Sequence, residues 1–201
     1  MPLYITDGTT ARNLDSGVVW RSGDIGTTAV SYVDIQYSDA RDAGYGYFIL
    51  DLIQVRCPGK QLVMWGMQNS TTVSTAGYYG GHYAHGEADA DIDAATSDNM
   101  LNASYFQLSA GRNGDESNTY LGNYTIHIKD PVSTNSPAPA YPNVYWRGTH
   151  RLSGTLASNI AGGGVHNRFN CHYGVRIGSD DGTAVMDRFK YKLTAYKMNP
   201  S

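Results

Sequence analysis

The sequence predicts an all-β protein, a single two-sheet antiparallel β-sandwich of jelly-roll type, with roughly a dozen strands and little or no helix. Its acidic residues are 16 Asp and only two Glu, and only five of its basic residues are Lys. Exposed helix faces are normally rich in Glu and Lys. The chain also holds 16 Tyr and 23 Gly, which suit pleated strands and tight turns. Together these features predict that the chain forms no long helices.

The predicted strands follow one another at short spacing, with turn residues between them. They cover residues 17–21, 29–37, 46–56, 61–67, 77–85, 104–108, 122–129, 144–147, 151–156 and 165–169. The run 46–56 is almost continuously apolar, which predicts a central strand covered on both faces. We expect one domain over residues 1–201, with an N-terminal arm at 1–16, an acidic loop at 86–99 and a Pro-rich crossover loop at 130–143.

The C-terminal region carries the clearest strand pattern. Apolar residues alternate with small or polar ones in 173–177, and with basic ones in 188–194. This period of two is typical of a strand with one wet face. Asp181 and Gly182 between the two runs form a strong reversal signal. The sequence therefore predicts that residues 173–196 form an antiparallel hairpin that closes a sheet.

Charge and cysteine content exclude several classes of protein. The formal net charge of −3 gives no basic footprint for nucleic acid. No run approaches 18 apolar residues, so we expect no membrane span, and the N-terminus resembles no secretory signal. Cys57 and Cys171 could form a disulfide between distant strands or remain two buried thiols. We favour the thiols, because a chain without an export signal is kept reduced.

Sequence motifs of catalysis and cofactor binding are missing. The chain has no nucleophile elbow, phosphate-binding loop, zincin motif or paired-cysteine zinc motif, so we expect neither an enzyme nor a cofactor. Asp89, Asp91 and Asp93 would share one face of an extended segment and are the candidates for a cation site. The EF-hand pattern fails, since Ala94 and Met100 stand where Gly and Glu are required. A solvated acidic loop is therefore the favoured interpretation.

Two surface segments are candidates for contacts with a partner. The first is a Gly-rich tyrosine segment whose candidate residues are Tyr78, Tyr79, His82 and Tyr83. These side chains could stack on sugar rings, form a subunit interface, or simply pack within a strand. The second is the basic pair Lys190 and Lys192, which we interpret as the wet face of a strand or as a contact with an acidic neighbouring subunit.

Four features occur in a characteristic order along residues 20–198. They are the aromatic and aliphatic strand 46–55, the apolar strand 62–65 that leads through a polar loop to Gly77 and two tyrosines, the alternating strand 124–131 that ends in proline, and the C-terminal pair of strands 174–196. This order resembles a family of β-sandwich domains found in bacteriophage virion proteins, including tail fibres. The chain departs from that family in its basic last strand, at Lys190 and Lys192.

The resemblance implies a virion structural protein. The expected role is a capsid or tail decoration protein, a homotrimer that stabilises the particle by contacts with the major capsid or tail protein. The alternative is a host-receptor adhesin or tail-fibre-like module that binds a glycan. The expected location is the virion surface, after assembly in the host cytoplasm. A polysaccharide depolymerase would need two carboxylates facing each other across a groove, and the sequence pairs none.

Overall fold

The computed structural model describes residues 4–6, 11–13, 17–88, 91–109, 121–129, 142–151, 157–167 and 173–197. The strands are β1 (Tyr4–Thr6), β2 (Ala11–Asn13), β3 (Val18–Asp24), β4 (Tyr32–Gln36), β5 (Tyr45–Arg56), β6 (Leu62–Met67), β7 (Tyr78–Ala88), β8 (Asp91–Ala103), β9 (Phe106–Gln107), β10 (Gly122–Lys129), β11 (Asn143–Arg151), β12 (Ala157–His166), β13 (Gly174–Ser179) and β14 (Arg188–Lys197). One short helix, α1 (Ser38–Asp42), follows β4.

The strands form two main antiparallel sheets. The large sheet has eight strands in the order β3-β14-β5-β10-β11-β12-β7-β8, and the small sheet has four in the order β4-β13-β6-β9. β1 and β2 pair with each other and with no other described strand, and they lie within the predicted N-terminal arm. The predicted all-β sandwich of about a dozen strands is confirmed, since alternating apolar residues on the two sheets meet in one core.

The core lies between the inward faces of the two sheets. Phe48 of β5 stacks on Tyr37, which follows β4, at 4.5 Å between ring centroids. Phe106 of β9 meets the fully buried Trp146 of β11 at 5.7 Å. Room for Trp146 is made by Gly162 on the neighbouring strand, where any Cβ would overlap the indole ring. Burial of large side chains of this kind contributes about 1.5–3 kcal/mol each.

β5 is central in the large sheet, as predicted, but only one of its faces is covered. It lies between β14 and β10, and its inward residues Phe48, Leu50 and Leu52 are no more than 1% exposed. Its outward residues are not buried, and Ile53 is 42% exposed. The prediction of two covered faces is wrong, because an apolar run does not distinguish a covered face from an apolar face left open.

The predicted C-terminal hairpin does not form, although its turn does. Gly182 has a φ of +74°, and its N–H donates to the Ser179 carbonyl at 3.1 Å. β13, however, lies in the small sheet between β4 and β6, while β14 lies in the large sheet between β3 and β5. The connection between them crosses from one sheet to the other, and its Met186 pairs with Val30 of another crossing segment. Asp181 also forms an ion pair with Lys60 at 2.6 Å.

Two further strands were missed because their composition does not favour a strand. Residues 91–99 of the predicted acidic loop belong to β8, and residues 86–88 belong to β7. β12 runs through three consecutive glycines, where the sequence predicted a break between strands at 156 and 165. Its inward glycines are required by packing, since a Cβ at Gly164 would overlap the backbone of Tyr79. Of the predicted crossover loop 130–143, residues 130–141 lie outside the described residues.

Cys57 is a buried free thiol, as the interpretation of reduced cysteines predicts, while Cys171 lies outside the described residues. Burial, followed by the charges of Asp180 and Asp181, raises the pKa of Cys57 to about 12, so the thiol stays protonated at neutral pH. Within the part of the chain that the structure describes, no helix is long and apolar enough to cross a membrane.

Candidate functional site

The outer face of the large sheet is the surface formed by the outward residues of β14, β5, β10, β11 and β12. Two cavities open side by side on it, along the same four strands from β5 to β12. The first, of about 560 Å³, includes Asp51, Ile53 and Arg147 in its lining. The second, of about 510 Å³, includes Tyr145 and Lys129. Binding sites for small molecules and chains are concave surfaces of this size.

Cross-strand register explains how the outer face is built. One row across β14, β5, β10, β11 and β12 consists of Lys192, Asp51, Thr125, Arg147 and Ala161. The next row consists of Thr194, Ile49, His127, Tyr145 and Gly163. Both rows end on β12 in a small residue, and the nearest atom to a Cβ at Gly163 would be the Val144 carbonyl oxygen at 3.4 Å. Large side chains on β5 to β11 beside small ones on β12 leave the depression open.

An aromatic strip crosses the second cavity. Ring centroids of Tyr196, Tyr47, His127 and Tyr145 follow one another at 5.7, 6.0 and 5.9 Å. The Tyr47 hydroxyl lies 2.6 Å from His127 Nδ1. Burial, then the positive charge of Arg147, lowers the pKa of His127, while burial raises that of Tyr47. The hydrogen bond between Tyr47 and Nδ1 leaves Nε2 as the ring nitrogen of His127 that is open to another partner.

Tyr145 and Ile53 are the apolar anchors of the face. Tyr145 is 50% exposed and Ile53 is 42% exposed, and each lines one of the two cavities. Large apolar side chains that remain exposed next to a cavity are typical of binding surfaces. A tyrosine can also stack its ring on an apolar ligand face and bond through its hydroxyl.

Polar side chains border the first cavity. The Asp51 carboxylate accepts a hydrogen bond from Thr125 Oγ1 at 3.2 Å. Asn123 Oδ1 accepts the Gln54 backbone N–H at 3.0 Å, which holds the amide at a position where Gln54 has a φ of +55°. Asn159 lies exposed on the opposite wall of the same cavity. Carboxylate, amide and hydroxyl groups around a depression can bond the hydroxyls of a ligand.

Cations on the outer face fall into two kinds. Lys190 lies 3.4 Å from Asp24, and Lys192 lies 3.3 Å from Asp51, so the two predicted contact lysines have partners within the chain. Arg147 and Lys129 are exposed, and in the described part of the chain no ion pair joins either to a carboxylate. Among the described residues, each cavity thus has one exposed cation that is not in an ion pair.

The outer face of the small sheet uses similar residues differently. Arg176 on β13 donates to both oxygens of Asp34 on β4, at 2.6 and 2.8 Å. Its guanidinium carbon lies 3.8 Å from the centre of the Tyr32 ring, and the hydrogen bonds that it donates to Asp34 raise its pKa. Beside this group Trp65 meets Tyr105 edge-on, with centroids 5.9 Å apart. These groups bond to one another.

The predicted tyrosine platform requires a correction. Tyr78 is fully buried, its hydroxyl donates to the Ser74 carbonyl at 2.9 Å, and it cannot reach a ligand or a partner. Tyr79 is half-buried on the next position of β7. The segment is an interior strand between β12 and β8, in agreement with the predicted strand 77–85, and strand alternation sends neighbouring tyrosines to opposite faces. For His82 and Tyr83 the structure describes only the backbone.

The structure describes the side chain of none of the three candidate residues for a cation site, which therefore remain untested. Asp91 and Asp93 lie in β8, opposite Ala88 and Gly86 of β7, and only their backbone is described. Asp89 lies outside the described residues. A search of the described side chains finds no group of three His, Cys, Asp or Glu that could hold a metal ion.

The chain matches no known protein-family model, no curated protein and no solved structure in the comparisons with known proteins. The resemblance to phage virion proteins therefore stays a prediction from sequence motifs. The sequence did not lead us to predict a site on the outer face of the large sheet. One sequence feature does indicate it, since Tyr47, Ile49 and Ile53 are large apolar residues at the outward positions of β5.

Proposed function

We propose that the protein is a non-catalytic binding domain whose outer face of the large sheet takes a saccharide chain. The observation that carries the proposal is the pair of consecutive cavities with the exposed Tyr145 and Ile53 in their linings. A sugar ring has apolar C–H faces and a polar edge, which suits a surface where aromatic rings lie next to hydrogen-bonding groups.

The shape of the face favours an extended ligand. The two cavities follow each other along the same strands, from Asn123 and Asp51 at one end to Lys129 and Tyr47 at the other. An oligosaccharide of several units can occupy both depressions at once. In this role the protein corresponds to the predicted adhesin, with the contact residues moved from β7 to β5, β10 and β11.

The experiment is a binding screen against polysaccharides, followed by two matched variants. Tyr145→Ala removes a ring that is 50% exposed on the proposed face, and Tyr32→Ala removes one that is 48% exposed on the small sheet. We expect Tyr145→Ala to weaken binding at least tenfold and Tyr32→Ala to leave it unchanged. Equal effects of the two variants would remove the proposal. Release of reducing ends from the bound polysaccharide would indicate a depolymerase instead.

A structural role in a virion is the second proposal, and one observation favours a subunit contact. β3 is an edge of the large sheet that pairs with β14 alone among the described strands, and its Val18 and Val19 are 45% and 58% exposed. An exposed apolar edge strand is suited to pairing with another chain. A capsid or tail decoration subunit, assembled as a trimer on the virion surface, would use such an edge.

Sedimentation of the wild type and of Val19→Lys tests the second proposal. A subunit that assembles through β3 is expected to sediment as an oligomer, and a lysine on this edge is expected to dissociate it into monomers. Ser22 on the same strand is exposed and polar, so Ser22→Lys is a matched control. A monomeric wild type at high concentration, with no association with particles, would contradict this proposal.

A further inference from the structure

The charges on the outer face of the large sheet identify the class of its ligand, and this inference rests on the saccharide-binding function proposed above. Arg147 lines the first cavity and Lys129 lines the second. Both are exposed and without a carboxylate partner in the described residues. On β14 of the same face, Lys190 lies next to Asp24 and Lys192 lies next to Asp51, while the exposed Arg188 lines neither cavity.

The position of the two unpaired cations makes them a pair of contacts along one ligand. Arg147 lies opposite Thr125 in the register, four residues along β10 from Lys129. Four residues of strand span roughly 13 Å. His127 and Tyr145 lie between the two cations along β10 and β11, so the aromatic strip separates two positive ends. A ligand that stacks on Tyr145 therefore has a cation near it on either side.

We infer that the ligand is an acidic saccharide, with carboxylate or sulfate groups that bind Arg147 and Lys129 while a sugar ring stacks on Tyr145. The guanidinium of Arg147 can bond such a group through two parallel N–H donors, and Lys129 offers a point charge. Nε2 of His127 is the ring nitrogen left for a polar contact between them, because Tyr47 already occupies Nδ1. Asp51, which lines the same cavity as Arg147, forms an ion pair with Lys192 at 3.3 Å and accepts a hydrogen bond from Thr125.

Three probes of defined chemistry test the inference by titration calorimetry. They are an oligogalacturonate, which carries carboxylates, a heparin-derived oligosaccharide, which carries sulfates, and the neutral maltohexaose. We expect at least one acidic probe to bind at least tenfold more tightly than maltohexaose. Its affinity is expected to fall several-fold between low and high salt, because screening weakens contacts between exposed charges. Whichever acidic probe binds more tightly identifies the acidic group of the ligand as carboxylate or sulfate.

The variant is Arg147→Gln with Lys129→Gln, and its control is Lys60→Gln with Lys197→Gln. Both remove two exposed or half-buried positive charges, so they change the net charge equally, and Lys60 belongs to an ion pair outside the cavities. We expect the first double variant to lose at least tenfold in affinity for the acidic probe and the control to lose less than twofold. Thermal unfolding checks that both double variants remain folded at the temperature of the titration.

The outcomes separate this inference from the function on which it rests. Binding of maltohexaose as tight as that of both acidic probes, with no loss in the Arg147 and Lys129 variant, overturns the acidic ligand and leaves saccharide binding in place. Equal losses in the two double variants also overturn it, because they would indicate an effect of net charge alone. Absence of binding to any of the probes and to every polysaccharide of the screen overturns both.

Discussion

The outer faces of the two sheets contain the same kinds of residues in opposite states. On the small sheet Arg176 is bound by Asp34 and stacked on Tyr32, and the face is complete in itself. On the large sheet Arg147 lacks a carboxylate among the described residues, and Tyr145 is 50% exposed at a cavity. The difference shows that residue type alone does not determine whether an outer face is open to a ligand. What determines it is whether the neighbouring strands provide partners for those residues.

The largest expected effect is a difference in stability loss between a substitution on the inward side of β12 and one on its outward side. Gly162→Ala places a Cβ against the buried indole of Trp146. The side chains must shift to make room, and such overpacking lowers the free energy of unfolding by up to about 3 kcal/mol. Gly163→Ala adds the same atom on the outer face, where its nearest neighbour is at 3.4 Å, and is expected to change stability by about 0.5 kcal/mol or less. Urea unfolding of both variants measures the difference. Equal losses would mean that the outer side of β12 is as crowded as the core.

A second expected effect compares the carboxylates of the two faces. Asp34→Ala leaves Arg176 without its two hydrogen bonds in a site where the side chains are 14% and 23% exposed, and we expect a loss of about 2 kcal/mol. Asp51→Ala removes a more exposed partner of Lys192, worth about 0–1 kcal/mol. Chemical unfolding of the two variants provides the test. A larger loss of stability for Asp51→Ala than for Asp34→Ala would indicate that the outer face of the large sheet has a structural role.

The smallest expected effect is a pH dependence of stability at the outer face of the large sheet. Burial and Arg147 lower the pKa of His127 in the folded chain, below its unfolded value of about 6.5. The stability contributed by neutral His127 is therefore present above that value and lost as the pH falls through the folded pKa. Unfolding curves at several pH values should decline less steeply with acid for His127→Gln than for the wild type. An unchanged slope would show that His127 titrates as it does in the unfolded chain.

Much of the fold could be predicted from alternation alone. The outlines of β10 and β14 follow from apolar residues at every second position, while that of β5 follows from a nearly continuous apolar run. The three predicted ranges agree with the structure to within a few residues. The short helix α1 and the strands β8 and β12 gave no such signal, because Ala, Asp and Gly carry little strand preference. The partner of the last strand was also beyond the sequence, since a turn signal does not say to which sheet the chain returns.

The candidate site could be predicted only in part. The exposed tyrosines were expected on the segment from Tyr78 to Tyr83, where tyrosine is dense, but alternation buries Tyr78. The outer face of the large sheet depends on register across five strands, which brings together residues as distant in sequence as Asp51, Arg147 and Lys192. No local pattern contains that information. The outward isoleucines and tyrosine of β5 were the one available sign.

The central claim is that the outer face of the large sheet, and not that of the small sheet, binds an acidic saccharide. Amide chemical shifts of the labelled protein, followed during titration with the oligogalacturonate and with the heparin-derived oligosaccharide, test it directly. The account predicts saturable shifts around Tyr47, His127, Tyr145 and Arg147, with none around the Arg176 group of the small sheet. Shifts centred on that group, or no saturable shift with either probe, would contradict it.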